Sequence, residues 1–145
     1  MQVEYIDGVK HLVFYHGTDV NHVESIKTHG LRPRKDNDDK AGSWQGLSNQ
    51  HCVYLTTDIE RARLFARMFD NGAVFQVFVN DDSKLRIDEN FVFYGDLGSN
   101  TYMDWEASRD SVLTDTRWML SIETDNLCSH NGKIDSKYVE VLEII

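Results

Sequence analysis

Apolar positions along the chain fall into short runs separated by polar stretches, and the spacing within each run predicts the element it forms. Leu12-Val13-Phe14-Tyr15 is aromatic and β-branched and stops at His16-Gly17-Thr18, the profile of a strand ending in a turn or active-site loop. Val20, Val23 and Ile26 then recur at helical spacing, with Thr18 or Asp19 available as a cap and Gly30 suited to the left-handed position that ends a helix. From Arg32 to Gln50 there is no period, and Trp44 and Leu47 are the large apolar members, so a long surface loop of the lid or binding type is expected.

Val53-Tyr54-Leu55 reads as the next strand, followed by Thr57-Asp58-Ile59-Glu60 with the spacing of a capping box. Ile59, Ala62, Ala66 and Phe69 give the ensuing helix an apolar stripe, Phe65 lies beside it, and Asp70-Asn71-Gly72 ends it. Val74-Phe75-Gln76-Val77-Phe78-Val79 is the clearest strand, apolar on both faces except at Gln76 and therefore central in a sheet. Leu85, Ile87, Phe91, Val92 and Phe93 follow no period and predict turns and short packed segments. A short helix is expected from Asp104 to Leu113 with Trp105 and Val112 as anchors, and a sheet-completing strand from Tyr138 to Ile145. Strand, helix, strand, helix, strand, then a strand-rich second half predicts an α+β fold and not a doubly wound sheet.

Composition narrows the class. With 145 residues, 41% hydrophobic and 27% charged, the chain has the balance of one globular domain, residues 1–145, and not of a disordered segment. Twenty-four acidic against fifteen basic residues give a net charge of −9, which disfavours a general nucleic-acid footprint. The best basic gathering, Arg32, Arg34 and Lys35, is opposed by Asp36, Asp38 and Asp39, yet one or two arginines suffice to grip a diphosphate. The opening residues have neither a basic start nor an apolar run, no stretch approaches membrane-spanning length, and Cys52 and Cys128 read as reduced thiols of a cytoplasmic protein.

The regular chemical motifs are missing: no phosphate loop, no dinucleotide fingerprint, no G-x-S-x-G elbow. Histidines at 11, 16, 22, 29, 51 and 130 lack zinc-helix spacing, so no metal site is expected. His16 stands out because it lies between an apolar strand and Gly17, where a ligand can approach the backbone, although a histidine there also bonds neighbouring loops. Tyr54 inside a strand reads equally as core packing with its hydroxyl at the edge.

Phe14-Tyr15-His16-Gly17-Thr18, Ile26-Lys27-Thr28-His29-Gly30-Leu31-Arg32-Pro33, and Val53-Tyr54-Leu55-Thr56-Thr57 followed by a helix with Ala62 together resemble the opening half of the ADP-ribosyltransferase superfamily. The pattern is similar to its poly-ADP-ribose-polymerase-like, DNA-modifying toxin and RNA 2'-phosphotransferase branches and to small bacterial or phage relatives. The resemblance implies split antiparallel β-sheets with short helices, and NAD as the cofactor consumed. It implies that His16 holds a ribose hydroxyl, that the Gly17 backbone engages the nicotinamide amide with Thr18 in support, and that Tyr54 is the stacking platform. Arg32 and Arg34 would pair with the diphosphate, Trp44 would cover the adenine or close the lid, and Phe65 would wall the nicotinamide pocket, although each of these three groups also reads as ordinary surface or core.

Cleaving the nicotinamide–ribose bond develops positive charge on the ribose, and a nearby carboxylate stabilises that transition state. Relatives place a glutamate at or before a late strand, where Ser121-Ile122-Glu123-Thr124-Asp125 stands here. Glu123 is therefore the candidate acid, with Asp125 as fallback and Glu106 and Glu140 as further options; the prolines usual near the following segment are absent. The implied activity is transfer of ADP-ribose to a macromolecular acceptor, a protein before a nucleic acid, with release of nicotinamide. Its competitors are NAD hydrolysis, RNA 2'-phosphotransfer, which the scarcity of basic residues disfavours, and a binding module of the same fold without the acid.

Overall fold

The computed structural model describes residues 1–36, 48–91 and 102–145. Seven strands and four α-helices lie among the described residues, a mixed α+β composition in which every register read out is antiparallel. The chain forms two units: Met1–Leu31, Leu55–Asp82 and Ile134–Ile145 make up unit 1, and Arg32–Tyr54 and Ser83–Lys133 make up unit 2.

Unit 1 is organised by the strand whose apolar run was plainest. In β4 (Gly72–Val79) every residue but Gln76 is buried, and the strand lies between β2 (Val9–Asp19) and β7 (Val139–Ile144), as its two apolar faces predict. β1 (Val3–Ile6) adds to β2 through a hairpin whose Asp7 and Gly8 both take positive φ, the conformation that lets a two-residue turn match strand twist. The expected end of β2 at His16-Gly17-Thr18 is not observed. The ladder continues through His16↔Phe75, Gly17↔Val74 and Thr18↔Ala73 to Asp19↔Gly72, because β4 is long enough to keep supplying partners.

Helix α1 (Val23–His29) follows a 3-10 turn capped by the Asp19 carboxylate, which accepts from the Asn21 N–H at 3.0 Å; Val23 and Ile26 face inward. Gly30 closes the helix at positive φ, donating to the Ile26 carbonyl at 2.8 Å. Helix α2 (Ile59–Ala66) is capped by Asp58 and not by Thr57, since the extended backbone of Asp58 brings its carboxylate to the Glu60 N–H at 3.0 Å. α2 rests directly on the sheet: a Cβ on Gly17 would overlap the Ala62 carbonyl oxygen, and one on Gly72 would overlap that of Ala66. The lack of a side chain at position 17 is thus accounted for by helix packing.

Unit 2 contains the first residues of β3 (Cys52–Thr56), then β5 (Leu85–Arg86), α3 (Tyr102–Ser111), α4 (Trp118–Asp125) and β6 (Leu127–Asn131), with strand order β5–β6–β3. Cys52, Ile87, Phe91 and Val112 form its apolar nucleus, with Tyr54 and Leu113 against it. The helix expected from Asp104 begins two residues earlier and ends before Val112, which is nonetheless a buried anchor. Helix α4 corrects the expectation of a strand-rich second half. Ser121 is its buried residue while Met119 and Leu120 are exposed, so no apolar stripe announces it. No helix among the described residues is long and apolar enough to cross a membrane.

Candidate functional site

The most unusual chemistry among the described residues lies in unit 2, around the hydroxyl of Tyr54. That hydroxyl donates to Oε1 of Glu89, and the Asn49 backbone N–H reaches both the phenol oxygen at 2.8 Å and the same carboxyl oxygen at 3.0 Å. Glu89 and Asn49 are 3% and 5% exposed, so this is a buried triangle of a phenol, a carboxyl and an amide. Burying an acid is costly unless something holds it, and here the holding is extensive.

Each corner is fixed by its own local sequence. Asn49 follows Ser48, whose carbonyl accepts from Arg34 Nη2 at 2.9 Å, and precedes Gln50, whose carbonyl accepts from the Lys35 N–H at 3.0 Å. The Asn49 side chain accepts from the His51 N–H at 2.9 Å and donates to the Arg109 carbonyl at 2.8 Å. Glu89 is set by the residues before it. The Ile87 carbonyl accepts from Ser129 Oγ at 2.8 Å, and the Asp88 N–H donates to Ser121 Oγ at 3.0 Å, which itself donates to the Leu127 carbonyl at 2.6 Å. The Asp88 carboxylate and carbonyl in turn accept from the Asn90 and Phe91 N–H groups, starting the turn that carries Glu89. Tyr54 is placed by β3, with its ring against the Cys52, Ile87, Phe91 and Val112 nucleus.

These surroundings shift the titration of both acids. Burial, reinforced by the charge of Asp88, pushes the Glu89 carboxyl up to about 8, against the opposing pull of the Tyr54 hydroxyl and the Asn49 N–H. Burial and then the Glu89 charge push the Tyr54 phenol well above its ordinary value. At neutral pH the pair therefore holds the carboxyl proton and the phenol proton together, a neutral acid beside a neutral phenol. Cys52 and Cys128 are buried free thiols; burial pushes the first up to about 11 and raises the second strongly, which leaves both unreactive. Among the described residues no three His, Cys, Asp or Glu side chains gather as a metal site.

The residues singled out from sequence distribute as follows. In unit 1, His16, Gly17 and Thr18 are consecutive, half-buried residues of β2, and Phe65 is a half-buried residue of α2. His16 lies in the same alternation as the fully buried Phe14, on the face of β2 opposite the one Gly17 offers to α2. In unit 2, Arg32 and Arg34 are half-buried, and Arg34 keeps a buried Nε that finds no acceptor among the described residues. Trp44 lies outside the described residues. Glu123 is exposed on α4, Asp125 and Glu106 are half-buried, and Glu140 is exposed on β7 of unit 1.

Tyr54 is thus a sequence-predicted site residue joined to a buried polar cluster, and no sequence pattern announces its partners Glu89 and Asn49. The one local signal was Asp88-Glu89-Asn90 after the alternating Leu85-Arg86-Ile87, which reads as a capped turn and says nothing of burial. No protein-family model matches the chain, and no curated protein matches it in sequence.

Proposed function

We propose that this chain cleaves NAD at the nicotinamide–ribose bond and transfers ADP-ribose to a macromolecular acceptor, a protein before a nucleic acid, within an ADP-ribosyltransferase-like α+β fold. The observation that carries the reading is the anchoring of Tyr54. The residue that resembles the nicotinamide platform has its hydroxyl tied into a buried carboxyl–amide cluster, the kind of costly, strongly perturbed arrangement that concentrates at functional sites. The Nε of Arg34, which finds no acceptor among the described residues, suits a diphosphate oxygen.

In this reading His16 and the Gly17 backbone hold the ribose and the carboxamide, Thr18 supports them, and Arg32, Trp44 and Phe65 complete the contacts to the dinucleotide. The bond from the ribose carbon to the nicotinamide nitrogen breaks, and nicotinamide leaves with the electron pair. A nucleophile of the acceptor then bonds to that carbon and loses its proton. Glu123 supplies the carboxylate that stabilises the cationic ribose. Because Glu123 is exposed, its field is screened by water until substrate covers it, and this exposure is what favours the competing reading of a binding module of the same fold.

Nicotinamide release from NAD by the purified chain, with and without cell extract as acceptor, separates the two. Release that falls on the order of a hundredfold in Glu123→Gln, and also in His16→Ala, is expected of the enzyme. Absence of release under both conditions, with NAD still bound, leaves the binding module. Release without extract that matches release with it identifies water as the acceptor.

A further inference from the structure

Resting on the reading of Tyr54 as the stacking platform, we propose that Glu89 is a positioning residue that fixes where the Tyr54 ring stands through its phenol hydroxyl, so that the platform is in place before the ligand arrives. Packing sets the root and the plane of a tyrosine ring; the hydroxyl lies on the axis of the second torsion, so a tether there holds the far end of the ring against swinging about the first torsion. Here the far end is tethered twice, by donation to Glu89 Oε1 and by acceptance from the Asn49 N–H. Behind these tethers the support is shared between main chain and buried hydroxyls: Asn49 on the Arg109 carbonyl, the Ile87–Asp88 backbone on Ser129 Oγ and Ser121 Oγ, and Ser121 on the Leu127 carbonyl. A glutamate that only filled space would be replaced without loss by an apolar side chain of similar volume, since burying a polar group costs stability unless its hydrogen bonds are made. Glu89 differs in sharing one carboxyl oxygen between the Tyr54 hydroxyl and the Asn49 backbone N–H, so that it joins the strand residue to the loop.

The test uses the full chain and the variants Glu89→Gln, which keeps an acceptor oxygen, and Glu89→Met, which keeps volume and removes it. The first readout is the NMR spectrum of ring-labelled tyrosine, with Tyr54 assigned by its loss in Tyr54→Phe. Wild type and Glu89→Gln are expected to hold the Tyr54 ring signals in place, whereas Glu89→Met moves or averages them; unchanged signals in Glu89→Met overturn the proposal. The second is the KM for NAD in nicotinamide release, expected to rise on the order of tenfold in Glu89→Met with kcat within about threefold, and to return to within about threefold of wild type in Glu89→Gln. Equal behaviour of the two variants overturns it.

If Glu89→Met does not fold, pH carries the test. The titratable and charged groups acting on Glu89 and its neighbours are Asp88 beside it, Tyr54 and Cys52 on β3, and Arg86 through Cys52. Wild-type Tyr54 signals are expected to move as the carboxyl titrates and those of Glu89→Gln to stay level; a shared course overturns the proposal. A wild type that releases no nicotinamide defeats the cleavage reading, while the ring spectrum still decides the role of Glu89.

Discussion

Unit 1 buries Val13, Phe14, Val74, Phe75 and Val77 almost completely and adds two buried polar side chains among its described residues, His11 and Thr56. Unit 2 buries seven: Asn49, Asp88, Glu89, Ser108, Ser121, Ser129 and His130. The first interior is held by hydrocarbon removed from water, a force without direction that tolerates small adjustments. The second adds to its apolar nucleus hydrogen bonds that work only at fixed geometry and leave a dipole stranded if one partner is lost. Difference in kind here is difference in purpose. An apolar sheet supports; a satisfied polar interior specifies where particular side chains stand.

The largest expected effect lies in unit 1. Phe75→Ala should lower stability by about 3–5 kcal/mol, as cavity formation does for a buried phenylalanine, and urea unfolding should show the same loss at acid and at alkaline pH. A loss that varies with pH would break the contrast between the units.

Next is Glu89, where the sign is set by a folded-state value of about 8 against an ordinary 4.5. Between these values the native chain holds a proton that the unfolded chain has released, so stability is fully present below the lower one and declines as pH rises to the upper. Glu89→Gln should remove that decline. The difference between the wild-type and variant urea curves is expected to change by about 1 kcal/mol per pH unit across the window, and parallel curves would show that the carboxyl is not held protonated.

Smallest is the pair of Asp115 and Arg117, whose side-chain groups approach to 2.6 Å with Arg117 also over the Phe91 ring at 5.0 Å. The Arg117 hydrogen bonds hold the Asp115 carboxyl below its ordinary value, so the stabilisation is present above the ordinary carboxylate range and lost as pH falls through the depressed value. With Arg117 43% exposed, Arg117→Ala should cost less than about 1 kcal/mol at neutral pH. A larger loss in thermal melts would mean that Phe91 depends on the guanidinium and that polar support in unit 2 extends to its surface.

How much of this was legible in the sequence follows from the same division. β4 and the Gly30 closure of α1 could be read because each is a local pattern, an apolar run and a glycine after a helical period. The continuation of β2 beyond Tyr15 could not, since it depends on a ladder to β4 more than fifty residues away in the chain. α4 leaves no local pattern because its inward residue is Ser121, a hydroxyl serving the Asp88 and Leu127 backbones and not an apolar stripe. Asn49 and Glu89 were missed for a related reason: burial of a polar side chain follows from partners supplied by distant segments, and no spacing rule encodes it. Tyr54 was picked out by resemblance, while the tethering of its hydroxyl appears only in three dimensions.

The seating of α2 on bare backbone at Gly17 and Gly72 also bears on ancestry. Positions 17 and 72 cannot drift, whatever side chains α2 carries, because a methyl gained at either glycine collides with main chain that no side-chain movement clears. Among descendants of a common ancestor these two glycines should therefore be inherited together, a fingerprint of kinship able to outlast the divergence of nearly everything around it.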